Sequence, residues 1–171
     1  MNTFVLWLYR LIVNLLPESK CYGLKNTLLR LAGAKIGKNV RIYSSAHIVG
    51  NGSLEIGDDV HIGADVLIYP VFPASIHIGS HIDIAPRVTI ITGTHRIDPS
   101  GEHIAGNGIA ETVTISDGCW LGTASTILPG IVLPEKTIVA AGALIARNPQ
   151  KNISSPYLLA GVPALIKKRY S

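Results

Sequence analysis

The chain has 171 residues, 47% of them hydrophobic and only 15% charged, with a net charge of +4. That length bounds one domain with a sizeable core. So small a basic excess, with no basic stripe interleaved with aromatics, excludes the usual nucleic-acid binder and suits a small anionic ligand. Seventeen glycines and ten prolines in so apolar a chain call for short strands and tight turns, and aromatics at 6% leave Ile, Val, Leu and Ala to build the core.

Residues 1–16 (MNTFVLWLYRLIVNLL) form an apolar run shorter than the ~20 residues of a spanning helix, and no small-residue cleavage site precedes Pro17. The pattern predicts a helix over 3–16 and a second over 22–31, where Leu24, Leu28 and Leu31 recur at helical spacing. The first helix is apolar around most of its circumference. It either caps the open end of the repeat that begins at Ile36 or packs in an oligomer, or it makes a peripheral contact with a membrane surface. Cys21 and Cys119 match no metal spacing and read as reduced thiols of a cytosolic protein. The expected location is the cytoplasm, with the inner membrane face as the alternative.

From Ile36 a rhythm of six begins. Ile36, Ile42, Ile48 and Leu54 are followed, after a slip of two, by Ile56, Ile62 and Ile68. The series returns at Ile78, Ile84 and Ile90 and runs on through Ile115, Leu121, Ile127, Leu133, Val139 and Ile145. A small residue often follows each aliphatic, as at Gly37, Gly57, Gly63, Gly79, Ala85 and Gly122. Period six fits neither a helix nor simple alternation. It fits a coil with flat sides of about six residues, whose aliphatics stack into inward ladders and whose strands pair in parallel from coil to coil. The expected fold is all-β: a left-handed parallel β-helix of roughly five coils, with N-terminal helices and a short C-terminal helix or tail. The segments are 1–35 (helical), 36–148 (β-helix) and 149–171 (tail), with residues 164–170 as the short basic helix or tail.

Two interruptions break the period. Tyr69 to Ser75 (YPVFPAS) reads as a bulging corner, and 96–112 (RIDPSGEHIAGNGIAET) as a polar, Gly-rich extruded loop able to wall a cleft. Of six histidines, four occupy variable positions or their surroundings. His95 differs, because it ends the segment IITGTH where the coil gives way to the loop. Histidine titrates near neutrality, so an imidazole at such a junction can take a proton from a hydroxyl.

Three motifs carry a resemblance. Thr92 to Pro99 (TGTHRIDP) resembles the T-x-T-H-x-x-D-P segment of maltose O-acetyltransferases. Val113 to Gly130 (VTISDGCWLGTASTILPG) resembles a segment shared with galactoside, nodulation and polysaccharide O-acetyltransferases, and AGVPALIKK at 160–168 resembles their closing motif. The likeness covers most of 36–170. It implies a hexapeptide-repeat acetyltransferase that moves acetyl from acetyl-CoA, as co-substrate, to a hydroxyl of a sugar or glycan. Surface-polysaccharide synthesis is the implied setting. The matching histidine, His95, is implied as general base in direct transfer, with Asp83, Asp98 or Glu111 as candidates to orient its ring. Asp65 stands 30 residues before His95, where relatives carry an acceptor-binding asparagine.

The resemblance also implies CoA contacts at Trp120, Gly122, Thr123, Ala141 and Gly142, with Arg147 and Lys167 meeting phosphates and Pro163 beside adenine. It implies a homotrimer with clefts between subunits, and no metal. Serine or amine acetylation remains open on the same scaffold. A zinc lyase of the carbonic anhydrase kind needs three histidines around one metal, and no such triad is visible. A non-catalytic scaffold would have no reason to keep these three motifs.

Overall fold

The computed structural model describes residues 1–149 and 156–170. The sixfold rhythm winds into a left-handed parallel β-helix of about five turns. Each short strand turns its aliphatic inward and its neighbours outward, so three ladders line the interior. The first face stacks Ile36, Ile56, Ile78, Ile115 and Leu133 in parallel register. The second stacks Ile42, Ile62, Ile84, Leu121, Val139 and Leu159. The third stacks Ile48, Ile68, Ile90, Ile127 and Ile145. All of these rungs are buried.

Two corners are regular. Asn39, Asp59, His81 and Lys136 hold left-handed backbone at the first, as do Asp65, Arg87 and Ala124 at the second. That conformation costs a non-glycine residue roughly 1 kcal/mol. It is offset because the turned amide bonds to the neighbouring coil, as in Asp59 to Lys38, Arg87 to Ala64 and Ala124 to Pro86. The third corner is where the coil grows. Stacked residues on the first face are 20 apart from Ile36 to Ile56, 22 from Ile56 to Ile78 and 37 from Ile78 to Ile115, then 18 from Ile115 to Leu133. Eighteen is the plain count of three hexads, so three successive coils widen at one edge.

The N-terminal end is closed by two helices. Helix α1 (Thr3–Val13) begins at Asn2, whose side chain accepts from the amides of Phe4 and Val5. It is shorter than the expected 3–16, since Asn14 caps it ahead of Pro17. Its buried face of Leu6, Tyr9 and Val13 joins the main core, while its opposite face stays exposed. Helix α2 (Tyr22–Leu31) meets the first coil, which has no coil before it to bond with. Asn26 donates to the Val40 carbonyl (2.8 Å), and Arg30 donates to Ile36 (2.9 Å) and Gly37 (2.9 Å). The fully buried Lys25 donates to the carbonyls of Ile42 (3.1 Å), Glu18 (2.9 Å) and Pro17 (3.3 Å).

Burial holds the Lys25 ammonium below its ordinary lysine value, and its three carbonyls compensate the charge that remains. Lys25→Met is therefore expected to strand those acceptors and to lower stability by about 3 kcal/mol, read as a shift of the urea midpoint. A midpoint equal to wild type would show that Lys25 is not what closes this end.

At the other end the expected short helix or tail over 164–170 is a strand. Tyr157–Gly161 continues the second face, and Ala164–Arg169 pairs back on it antiparallel. Gly161, Val162 and Pro163 reverse the chain. A strand there satisfies an open edge, which an isolated turn of helix would leave bare. The stretch 150–155 of the C-terminal segment lies outside the described residues. Cys119 is buried against the Pro134 carbonyl, and burial pushes its thiol up to about 11, which makes it a packing residue; Cys21 is exposed.

Candidate active site

The widest expansion of the third corner is an arm rather than a loose loop. Gly93–Ile97 and Ala105–Ala110 pair antiparallel, with Thr94 opposite Ile109 and His95 opposite Gly108. Asp98 holds the tip, accepting from the Ser100 amide (3.1 Å), the Ser100 hydroxyl (2.8 Å) and the Gly101 amide (3.1 Å). Those bonds, the Ser100 hydroxyl first, keep its carboxyl below the usual value. At the root, buried Thr92 accepts from the Val71 amide (2.7 Å) and ties the arm to the bulging corner below it.

His95 lies exposed in a cleft of about 710 Å3 between arm and bulge, beside Tyr69, Phe72, Arg96 and Glu111. Its Nδ1 is 2.8 Å from the Gly106 carbonyl. A carbonyl only accepts, so Nδ1 carries the proton and Nε2 is left as the basic nitrogen. None of the three candidate carboxylates bonds to the ring. Asp83 stands on the second face between His61 and Trp120, Asp98 caps the arm, and Glu111 lines the cleft without a bond to His95. No sequence pattern points to Gly106, because the contact is made by backbone across a hairpin whose register is not written in side chains.

The residues expected to contact CoA fall into two groups on the later coils. Trp120, Gly122, Thr123 and Ala141 line one groove of about 380 Å3, with Ala85 and Tyr170. Trp120 is no core filler, for it is 55% exposed on the second face. Arg147, Pro163 and Lys167 line a second groove of about 600 Å3, joined by Lys168 and Arg169. The closing hairpin puts these cations together, which a helix or free tail would not do. Gly142 lines neither groove and turns the second corner at φ +68°. Asp65 is exposed on that same corner, on an earlier coil, its amide bonded to the Ser45 hydroxyl (3.1 Å).

Gly122 is small for the sake of the fold. A Cβ there would lie 2.6 Å from the Ala141 amide nitrogen and 2.7 Å from the Val139 oxygen, so the coils would have to part. At Gly142 the space is open and only the positive φ resists a side chain. Gly122→Ala is thus expected to cost about 2–3 kcal/mol by overpacking, against about 1 kcal/mol for Gly142→Ala. Urea denaturation of the two variants compares them, and equal losses would contradict this division.

Within one chain, His95 at the third corner and the Trp120 groove by the second corner are separated by the third face, while the Arg147 groove lies at the C-terminal end, where Asn148 donates to the Gly130 carbonyl of the third corner. The outward column of the third face is His47, which is exposed, then Leu67, Thr89, Thr126 and Leu144, which are uncharged and half-buried. Other histidines sit in surface pairs, His77 with Glu55 and His81 with Asp59, each at 3.3 Å. Among the described residues no group of three or more His, Cys, Asp or Glu is placed to hold a metal ion.

No family model matches the chain. Over 145 residues it is 34% identical to WcaF of Escherichia coli (strain K12), a protein named for acetyl transfer in colanic acid biosynthesis; the match covers 85% of this chain and 74% of that one. Two solved structures share the fold. One is AntD, an N-acyltransferase from Bacillus cereus in complex with dTDP and 3-hydroxybutyryl-CoA (TM-score 0.66, 23% identity, 82% of this chain and 74% of that one). The other is a maltose O-acetyltransferase from Clostridium difficile 630 (TM-score 0.66, 20% identity, 99% and 87%). With a β-helix built on six-residue repeats from Ile36 and a relative of this likeness over most of its length, the chain belongs to the hexapeptide-repeat acetyltransferases.

Proposed function

We propose that the protein transfers acetyl from acetyl-CoA to a hydroxyl of a sugar or glycan, in one step, with His95 as the general base. The observation that carries this reading is the bond from His95 Nδ1 to the Gly106 carbonyl, which presents Nε2 as a proton acceptor inside the cleft. Nε2 takes the hydroxyl proton as the oxygen attacks the thioester carbonyl. The tetrahedral intermediate then collapses, CoA leaves as the thiolate, and the proton on Nε2 passes to its sulfur. The exposed rings of Tyr69 and Phe72 beside His95 offer apolar surface to a sugar ring. Asp65, in place of the asparagine of relatives, keeps acceptor capacity for a hydroxyl and loses the amide donor.

On this reading Trp120, Thr123 and Ala141 flank the pantetheine arm, Gly122 and Gly142 keep the coil edge low, and Pro163 meets the adenine end. Arg147 and Lys167, in a groove lined by four cations and no acid, meet the phosphates. The base and the CoA grooves come together when the third faces of three copies, neutral from Leu67 to Leu144, pack about one axis. The arm of one copy then lies over the coil edge of the next. That places the acceptor between subunits of a homotrimer.

Amine acetylation is the second reading, favoured by the N-acyltransferase among the structures of this fold. A thiol-release assay with acetyl-CoA separates them. Purified protein is expected to release CoA with sugars that bear only hydroxyls, and to do so no faster with their amino counterparts. Release confined to amino sugars would replace the hydroxyl reading by the amine one.

A further inference from the structure

Helix α1 uses only half of its apolar surface to close the β-helix. Opposite its buried face, Phe4 (65% exposed), Trp7 (53%), Leu11 (48%) and Leu15 just past its end (87%) stand in solvent, with Leu8 and Ile12 beside them. Phe4 and Trp7 stack at 5.9 Å between ring centroids. Positions 4, 8, 11 and 15 make one stripe at helical spacing, and the first acidic residue in the chain is Glu18. No described residue covers this stripe, and an apolar patch of that extent marks a contact surface.

Charge names the partner. Residues 1–41 carry seven Lys and Arg against the single Glu18, whereas residues 42–171 carry eight against ten acids. The basic excess of the sequence thus lies in the helical cap and first coil, although Glu55, Asp58 and Asp59 of the next coil come up against Lys35, Lys38 and Asn39. On the cap itself Arg10 and Lys20 make no ion pair among the described residues. Lys25 and Arg30 bond to backbone carbonyls and not to carboxylates, while Lys35 meets Glu55 at 2.5 Å and Glu18 is engaged by Ser45. Two such ends brought face to face would set like charge against like. An anionic surface with an apolar interior complements both the charge and the stripe.

We propose that the outer face of α1 docks on an anionic lipid bilayer, lying in the interface with Trp7 and Phe4 at headgroup depth. The helix has 11 residues and measures ~16 Å, half the ~30 Å of a hydrocarbon core. Among the described residues no helix is long and apolar enough to cross a membrane. The helix therefore lies on the surface and does not span it. Basic groups of the same end, Arg10 and Lys20 among them, meet lipid phosphates.

The test is co-sedimentation of the full chain with vesicles of phosphatidylcholine containing roughly 30% phosphatidylglycerol. The protein is expected to pellet with them, and to do so weakly with phosphatidylcholine alone or in ~0.5 M salt. The variant Trp7→Ser/Leu11→Ser/Leu15→Ser, altered only at exposed positions, is expected to lose partitioning on the order of 100-fold. Its melting transition, oligomeric state and thiol release with a soluble acceptor are expected to match wild type. In a Trp120→Phe background, Trp7 emission is expected to shift to the blue on anionic vesicles, a readout that needs no folding-sensitive variant. Protein left in the supernatant, an unshifted Trp7, or a triple variant that still pellets overturns the proposal. A triple variant that loses its oligomeric state overturns it too, by showing that α1 faces another copy.

Discussion

His95→Ala is expected to lower kcat by roughly 10²–10⁴-fold, the contribution of a positioned general base, with little change in the KM for acetyl-CoA. The asymmetry comes from the geometry. The imidazole is held by the Gly106 carbonyl in its own cleft, and the residues proposed to meet CoA line other grooves. Steady-state thiol release with a sugar acceptor, at varied acetyl-CoA, reads both constants. The alanine variant is also expected to keep the wild-type melting transition, since His95 is exposed and belongs to no core ladder. Transfer that survives the substitution would remove His95 from the mechanism. A large rise in KM with kcat unchanged would make it a binding residue.

Mixing two inactive variants is expected to restore activity. His95→Ala disables the arm, and Arg147→Glu/Lys167→Glu disables the groove proposed for phosphate, so in the proposed homotrimer either variant alone has three dead sites. When subunits are unfolded together in equal amounts and refolded, random assembly pairs an intact arm with an intact neighbouring groove in about a quarter of the interfaces. Activity near that fraction of wild type is the expected result. No recovery, from mixtures shown to contain hetero-oligomers, would mean that each chain builds its site alone. That result would overturn the site shared between subunits.

The ladders are legible in the sequence because each rung is a single aliphatic whose spacing is set by the length of a flat side. Ile42, Ile62, Ile84, Leu121, Val139 and Leu159 form one column, and all but the last are visible as hexads. The grouping of Trp120, Gly122, Thr123 and Ala141 is legible too, from a resemblance that preserves order along the chain. Three features are not. The arm reads as loop because its strands lack alternation, and only the turn residues Asp98, Pro99, Ser100 and Gly101 hint at a hairpin. The closing strand reads as a helix or tail because Lys167, Lys168 and Arg169 resemble a solvated terminus, although Gly161 and Pro163 between two apolar runs are a turn signal. The Gly106 contact and the roles of Lys25 and Asn26 depend on carbonyls, which sequence does not label.

The widening of successive coils at one corner separates two demands that most folds make on the same residues. The rungs lie along the faces, so residues added between Ile90 and Ile115 leave every rung in place. A hairpin of another length or composition can be exchanged at that edge like a bit in a drill chuck, with the shaft unchanged. On the proposed reading of the cleft, grafting a relative's arm between Thr92 and Thr112 is expected to redirect this chain's acceptor preference while the rungs stay as they are.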